Sequence, residues 1–524
     1  MSQLVTAAAW PSLTAETKKR PAASLRAVSG RAKRALDRRM AAARFELERE
    51  FAAQAHNGDQ TRHDPAWVCY SKGLVHLPNG EAAPEAARHL WRAVDSGDPR
   101  AFENIPIGGY IKLANPQAAF AYDLLGPDPQ QIAIPPAPAF SSAEQTAEML
   151  EMYWHALTRD VPFAAYGTDP LIRRAAEELN AAGGYAGPRD GKSVTPANLF
   201  RGITHGGLIG PYVSQFLWRD LPWTPIRVQQ KIRIAAPNVD YLTKWDDWLR
   251  VQDGNVYPVN DYEDTPRYIR TGRDLGEYVH RDFTYQAYLG ACLMLFRMSA
   301  PLDGGIPYQY SISQSGFVTL GPSDILHVVA TVANLALKAS WWQKWAVHRR
   351  LRPEEYGGRV QRHASGGPTY PLHADLLAAA GPGMIKAKFG SYLLPVAYPE
   401  GAPLHPSYPA GHAVVAGACA TALKACFAEN FVIPNPQVPS ADGLSLQPYR
   451  GPELTVGNEL DKLAENISVA RNFAGLHWRS DMSAGLRLGE RVAINVLREL
   501  KMVSEELFTG YDLRTFDGKL VQIR

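Results

Sequence analysis

Long apolar helical runs dominate the second half of the chain, and they constrain its fold more than any other feature. Helical periodicity is expected over residues 285–298, 324–350, 412–427, 460–473 and 481–507. The alternation of apolar and polar residues that marks a half-buried strand never persists for more than a few residues. The sequence therefore predicts an all-α protein whose helices pack as bundles.

Helix-capping and helix-breaking residues set the expected ends of these runs. Asp324 is expected to cap a helix that continues through Arg350 and stops before Pro353. Residues 353–410 are rich in proline and are expected to form mostly loops. Earlier in the chain, residues 144–160 and 169–182 are expected to be helical.

Charge and cysteine content narrow the possible function classes. The 524 residues carry 55 basic and 52 acidic side chains, a formal net charge of +3, which predicts neither nucleic-acid binding nor attachment to a membrane surface. The four cysteines, Cys69, Cys292, Cys419 and Cys426, form no CxxC pair and are expected to be reduced and buried. With no secretory pattern near the N-terminus, a soluble, cytoplasmic protein is expected.

Domain organisation is expected to be simple. Residues 24–55 show a basic amphipathic pattern, so residues 1–60 are predicted to form an N-terminal helical arm. Such an arm packs on its own body or on a second subunit, so the pattern is compatible with a homodimer. Residues 61–524 are predicted to form a single helical catalytic body, with the chemistry concentrated in 344–481.

Three separated segments carry the candidate catalytic and binding residues. The first places Lys344 near a helix end and Arg352 just before Pro353, an arrangement also typical of cations that complement a helix dipole. The second, HPSYPAGH, puts Gly411 and His412 directly before an apolar helix, where backbone N–H groups attract anions. Each segment taken alone fits a structural role as well as a functional one.

The third segment, RNFAGLHWRSD, contains a histidine and an aspartate at helical spacing. His477 and Asp481 are four residues apart and are expected to share one helix face, with Arg471 six residues before the histidine. An aspartate bonded to one imidazole nitrogen leaves the other nitrogen free to act as ligand or nucleophile. A surface contact between the pair is the alternative interpretation.

Taken together, the three segments supply two guanidinium groups, one ammonium, one glycine amide and two imidazoles. This set suits a compact oxyanion such as phosphate or vanadate. It does not suit zinc or magnesium, because no thiolates or carboxylates converge with it.

The order of these motifs resembles the signature of the vanadium-dependent haloperoxidases and their acid-phosphatase relatives in the type 2 phosphatidic acid phosphatase superfamily. KWAVHRRLRPEEYGG, HPSYPAGHA and ARNFAGLHWRSD are similar to the algal bromoperoxidase and actinobacterial chloroperoxidase versions. The resemblance implies the helical-bundle fold of that superfamily. It also implies an enzyme that binds vanadate, or phosphate in the same site, and uses hydrogen peroxide to oxidise chloride or bromide. The oxidised halide would halogenate a small, electron-rich organic substrate such as an aromatic or terpenoid secondary metabolite.

The resemblance also implies roles for individual residues. His477 would ligate vanadium, with Asp481 orienting its ring. The vanadate oxygens would be bound by Lys344, Arg352, Gly411 and Arg471. His412 would be the acid–base group, and Lys344 would polarise the bound peroxide.

One position departs from the family pattern. The usual serine before Gly-His is Ala410, which removes one hydroxyl hydrogen bond to the oxyanion. The loss is worth roughly 1.5–3 kcal/mol, so it weakens an anion site without abolishing it. Two alternative functions therefore stay open: halide-independent rearrangement of a similar intermediate, and acid-phosphatase chemistry through a phosphohistidine at His477. Aromatic residues that flank the motifs are expected either to line a substrate pocket or to pack in the core: Trp341, Trp342, Trp345, Tyr408, Phe473 and Trp478.

Overall fold

The structure is a computed structural model that describes residues 30–223, 225–255 and 260–524. The chain divides into two compact units, residues 1–49 and 50–524. The first unit contains helix α1, Arg31–Leu47. The helix expected over 24–55 therefore ends earlier, because residues 50–55 are not helical, and residues 24–29 lie outside the described residues. A separate arm over 1–60 and a single catalytic body over 61–524 stay predictions.

Helices form most of the regular secondary structure of the second unit. In its first half they are α2 (Asp59–Arg62), α3 (Pro65–Val68), α4 (Pro84–Ser96), α5 (Pro99–Phe102), α6 (Ala143–Thr158), α7 (Pro170–Ala181), α8 (Trp245–Gln252), α9 (Gly272–Tyr278) and α10 (Gln286–Arg297). In its second half they are α11 (Pro322–Trp341), α12 (Pro353–Ala364), α13 (Asp375–Ala378), α14 (Ala380–Phe389), α15 (Gly411–Cys426), α16 (Val456–Phe473) and α17 (Arg479–Val503).

Strands are few and short. The described residues form three two-stranded antiparallel hairpins, β1 (Leu221–Trp223) with β2 (Ile226–Val228), β3 (Gln437–Pro439) with β4 (Leu446–Pro448), and β5 (Tyr511–Arg514) with β6 (Leu520–Ile523). The expected all-α, helical-bundle class is confirmed.

Helix α15 is the centre of the bundle, and α11, α16 and α17 pack around it. Apart from His412, every residue of α15 is buried, and most of them are alanine, valine, glycine or cysteine. A Cβ added at Gly417 would collide with the Leu486 carbonyl oxygen, and one at Gly489 would collide with that of Val414. The small residues therefore let the backbones of α15 and α17 approach closely, which fixes the two helix starts relative to each other.

Helix boundaries in the middle of the chain differ from those expected. Helix α11 begins directly after Gly321, and Asp324 lies inside its first turn, where Oδ2 accepts the Leu320 amide at 2.9 Å. Pro353 does not stop this helix but occupies the first turn of α12. Proline is tolerated there because the backbone N–H groups of a first turn make no hydrogen bond within the helix. Residues 353–410 consequently contain more helix than expected, in α12, α13 and α14.

A π-helical segment, Trp342–His348, continues α11 and carries Lys344. Such wide turns are common at functional sites. The segment ends at Arg349, whose left-handed backbone (φ 52°) redirects the chain before Arg352. By length and composition, the run Pro322–His348 could cross a membrane, but half of its most apolar window is buried inside the protein. We therefore interpret it as a core helix of the bundle.

Other expected features agree with the structure. The four cysteines are free and buried. The helices expected over 144–160 and 169–182 are observed as α6 and α7, where Ser142 and Asp169 cap the first turns through their side chains. The apolar runs expected to be helical near the C-terminal motifs are observed as α15, α16 and α17.

Candidate active site

The second and third motif segments meet at one cavity of about 290 Å³. Gly411, His412, Arg471 and His477 all line it, so the expected convergence of these residues is observed. Lys344 and Arg352, from the first segment, are fully buried. Arg352 belongs to the same site because its Nη1 lies 2.7 Å from His477 Nε2. Lys344 joins it through Ser407, whose carbonyl accepts from Lys344 Nζ at 2.8 Å and whose hydroxyl donates to Asp481.

A helix-ending turn brings Arg471 and His477 together. Gly475 has a left-handed backbone (φ 90°), its N–H donates to the Asn472 carbonyl at 2.8 Å, and the Leu476 N–H donates to the Arg471 carbonyl at 3.0 Å. This pair of bonds is the Schellman arrangement that closes a helix. The chain turns at once, so the last turn of α16 and the residues before α17 face the same cavity.

The start of α15 is tied to the start of α17. The Ala410 N–H donates to the Asp481 carbonyl at 3.0 Å, which places Gly411 next to the third motif. A Cβ added at Gly411 would point toward Trp341 and Leu337, at 3.6 and 3.7 Å, and both of these residues line the cavity. Glycine thus leaves cavity volume free beside the first amide of the helix.

Asp481 orients the His477 ring. Its Oδ2 lies 2.8 Å from His477 Nδ1 and also accepts the Trp478 N–H at 3.1 Å and the Ser407 hydroxyl. Its Oδ1 pairs with Arg350 Nη1 at 2.9 Å. Because the carboxylate accepts from Nδ1–H, the Nε2 lone pair of His477 is directed elsewhere. The expected interaction of these two residues is confirmed, and it is buried rather than superficial. The expected shared helix face is wrong, because His477 precedes α17 and the turn before the helix brings its ring to Asp481.

Arg352 contacts two imidazoles. Its Nη1 lies 2.7 Å from His477 Nε2, and its Nη2 lies 2.9 Å from His405 Nδ1. Burial lowers the pKa of the Arg352 guanidinium to about 10. Burial, followed by the positive charges of Arg352 and Lys344, also holds the pKa of His477 well below its usual range. Since a guanidinium can only donate, His477 Nε2 accepts from Arg352 and the ring is a neutral imidazole that carries its hydrogen on Nδ1.

Lys344 lies in the same positive environment. Its Nζ donates to the carbonyls of Pro406 and Ser407 at 2.7 and 2.8 Å, so among the described residues one of its three ammonium hydrogens is left for another acceptor. Burial and the nearby Arg352 charge hold the Lys344 pKa well below its usual range. An anion in the cavity would reverse this effect.

Arg471 has a spare donor. Its Nη1 donates to the Val279 carbonyl at 2.8 Å, whereas its buried Nε has no hydrogen-bond partner among the described residues. A buried N–H without an acceptor is costly, so this atom indicates a ligand-binding position. A tetrahedral oxyanion in the cavity would satisfy it, and the donor set fits such a group.

His412 is held by a residue that the sequence did not point to. Its Nε2 lies 2.9 Å from Asp282 Oδ1, and Asp282 also lines the cavity. His280, Thr284 and Ser407 are further polar site residues that sequence reasoning missed. No motif or helical spacing marks Asp282, since it lies 130 residues from His412.

The aromatic residues near the motifs divide into two groups. Trp341 lines the cavity and lies 4.8 Å from the His405 ring, measured between centroids. The other five are not among the lining residues, and four of them are buried in the core: Trp345, Tyr408, Phe473 and Trp478. The interpretation as core residues is therefore correct for most of them.

Known proteins are similar to this chain in sequence over most of its length. The chain is 35% identical to the vanadium-dependent bromoperoxidase of Corallina officinalis, over 95% of this chain and 99% of that protein. It is also 35% identical to that of Ascophyllum nodosum, over 93% and 91% of the two chains. The chain belongs to the vanadium-dependent haloperoxidase family.

Fold comparison agrees with this haloperoxidase assignment. A family profile described as "VCPO second helical-bundle domain" matches residues 326–506, which contain all three motifs. The homohexameric second vanadate-dependent bromoperoxidase of Ascophyllum nodosum superimposes with a TM-score of 0.87 at 29% identity, covering 97% of this chain and 94% of that one. This haloperoxidase-family chain is accordingly an enzyme built on the helical-bundle fold.

Proposed function

We propose that this enzyme binds vanadate and uses hydrogen peroxide to oxidise chloride or bromide. The observation that carries the proposal is the donor set on one cavity. Arg471 Nε, which has no partner in the part of the chain that the structure describes, and the neutral, oriented His477 belong to the same lining. The overall reaction consumes one halide ion, one hydrogen peroxide and one proton, and it yields hypohalous acid and water. Attack of an organic carbon on that acid then releases a second water.

Each of the predicted site residues has a place in this proposal. His477 would ligate vanadium through Nε2, and Lys344, Arg352, Arg471 and the Gly411 amide would bind the oxygens. When bound, vanadate supplies a Lewis acid that activates peroxide. His412, fixed by Asp282, would hold or release the proton that the reaction consumes.

The organic substrate is proposed by class. We infer a small, electron-rich aromatic or terpenoid molecule, since the cavity wall combines apolar Leu337, Trp341, Pro403 and Val415 with the polar site residues. A soluble, cytoplasmic location is part of the same proposal, supported by the free, buried thiols. So is self-association, supported by the homohexameric relative.

The experiment is a halogenation assay of the purified protein. The protein is loaded with orthovanadate and given hydrogen peroxide with either halide, and products are read with a halogen-trapping dye and by mass spectrometry. We expect halogenated product only when vanadate, peroxide and halide are all present, and none from His477→Ala. Full activity in that variant, or in protein free of vanadate, would contradict the proposal.

Ala410 favours a second candidate function. The side chain at this position has no hydroxyl to offer the oxyanion, which suits a relative that rearranges an organic intermediate without halide. In that case product should form without vanadate, peroxide or halide, and His412→Ala should prevent it. The same assay therefore separates the two functions.

A further inference from the structure

One segment of the chain supplies several of the residues that line the cavity. Residues 277–284 lead from the last turn of α9 toward the start of α10, and His280, Asp282 and Thr284 from this segment line the cavity. Its Val279 carbonyl accepts from Arg471, and its Asp282 holds His412. The position of this segment therefore decides how a guanidinium and an imidazole of the site are presented.

His280 is the residue that anchors the segment. Its Nε2 lies 2.6 Å from Glu400 Oε1, and its Nδ1 lies 3.3 Å from Glu277 Oε2. Its ring stacks on Tyr398, with centroids 3.8 Å apart and planes tilted by 10°. Because a carboxylate only accepts hydrogen bonds, an imidazole between two carboxylates must carry both hydrogens and a positive charge.

The partners of His280 are themselves fixed. The Glu400 carbonyl accepts from Lys72 Nζ at 2.8 Å, and Lys72 is buried with Glu354. Tyr398 also lies under the Arg471 guanidinium, 5.6 Å from the ring centroid. His280 thus links the 277–284 segment to residues that are held in place by other parts of the protein.

We infer that His280 is a positioning residue for the oxyanion site: as an imidazolium in the cavity wall it holds the 277–284 segment against Glu400 and offsets the charge of the two carboxylates that contact it. The inference rests on the proposed function, since it concerns how well that site binds an anion.

The charges around His280 determine whether anion affinity rises or falls with pH. The titratable or charged groups that surround it, from its own segment and from the elements packed on it, are Glu277, Arg281, Asp282, Glu400, Tyr398, Arg471 and His412. Burial opposes protonation, but the bonds to Glu277 and Glu400 outweigh it and raise the His280 pKa. Once His280 loses its proton, the carboxylates of Glu277 and Glu400 are no longer offset, so anion affinity falls as pH rises.

The test is anion binding as a function of pH. Inorganic tungstate is the probe, because in dilute solution it stays a tetrahedral dianion between about pH 6 and pH 9, the range in which histidines with ordinary to raised pKa values titrate. Isothermal titration calorimetry gives Kd for the wild type, His280→Gln, Glu400→Gln and the control His373→Gln. His373 is a suitable control because it pairs with Asp375 at a different cavity.

Between the two ends of this pH range, the tungstate affinity of the wild type should fall by about tenfold more than the affinity of His280→Gln. A difference of this size corresponds to the loss of one nearby unit charge. Any pH dependence that comes from Lys344 is common to both proteins and cancels in this comparison. His280→Gln keeps a hydrogen-bond donor but not the charge, so its affinity should already be low at the acidic end. Glu400→Gln should bind more tightly than the wild type at high pH, with its pH dependence shifted to lower pH. His373→Gln should match the wild type.

Two results would lead to different conclusions. If the wild type binds no tungstate at any pH, the proposed anion site itself fails. If the wild type binds but His280→Gln keeps the full wild-type pH profile, other groups carry the dependence and the inference about His280 is overturned. Melting temperatures without anion show whether each variant is folded.

Discussion

Arg352 Nη1 lies 2.7 Å from His477 Nε2, so the guanidinium donates to the same lone pair that would ligate a metal oxyanion. An incoming anion must therefore displace this bond and can then accept the freed hydrogen itself. Arg352 also remains bonded to the His405 carbonyl through Nε at 2.9 Å, which keeps it in place during the exchange. The guanidinium is thus prepared to transfer one hydrogen bond from the imidazole to the anion.

Replacing Arg352 by lysine should weaken oxyanion binding while keeping the charge. Lysine cannot bridge two imidazoles and an anion as a planar fork does. We expect vanadate affinity to fall by about ten- to a hundredfold, the equivalent of one charge-assisted hydrogen bond. Calorimetric titration with orthovanadate measures this affinity. Arg487→Lys, at a partly exposed pair with Asp517, is the matched control, and equal losses in both variants would argue against a specific role.

Arg471 should account for much of the stabilisation by phosphate. In the wild type, phosphate at a hundred times Kd should stabilise the fold by about 2.7 kcal/mol and raise Tm by mass action. Arg471→Ala removes the unpartnered Nε and a unit of positive charge, so most of that shift should disappear. Differential scanning calorimetry with and without phosphate checks this. A full phosphate shift in the variant would show that the anion binds elsewhere.

Ala410→Ser has two separable consequences. Residue 410 is the N-cap of α15 and makes no side-chain cap bond, so a serine hydroxyl could cap the helix and stabilise the free protein by about 1 kcal/mol. If the hydroxyl instead bonds the oxyanion, vanadate affinity should rise by about tenfold or more with little change in the Tm of the free protein. Measuring both quantities distinguishes capping from anion contact. A variant that changes neither would show that the missing serine is immaterial.

Anion binding should be accompanied by proton uptake at Lys344. Burial and Arg352 hold its pKa low in the free protein, and a bound dianion would raise that pKa again. Between the two pKa values, binding therefore takes up a proton, and affinity rises as pH falls. Titration in buffers of different ionisation enthalpy gives the proton count. Lys344→Met should remove this uptake; if the count is unchanged there, another group is protonated.

Much of the candidate site could be predicted because its chemistry lies in short motifs. The four-residue spacing of His477 and Asp481 led to the correct hydrogen bond for a different reason, because His477 precedes the first residue of α17 and only Asp481 lies in the helix. The position of Gly411 before an apolar helix was informative because the geometry of a helix N-terminus is a local property. Helix ends were less predictable: Pro353 is compatible both with ending one helix and with beginning the next, and only packing selects between them.

The sequence by itself determined the helical class, the family and the residues that converge at the candidate site, because periodicity and motif spacing depend on neighbours along the chain. Only the tertiary structure decided which carboxylates meet His412 and His280. Asp282 reaches His412 across 130 residues, and Glu400 reaches His280 across 120. Such contacts depend on how closely α9, α15 and α16 pack, which is set by side-chain volume at many positions at once.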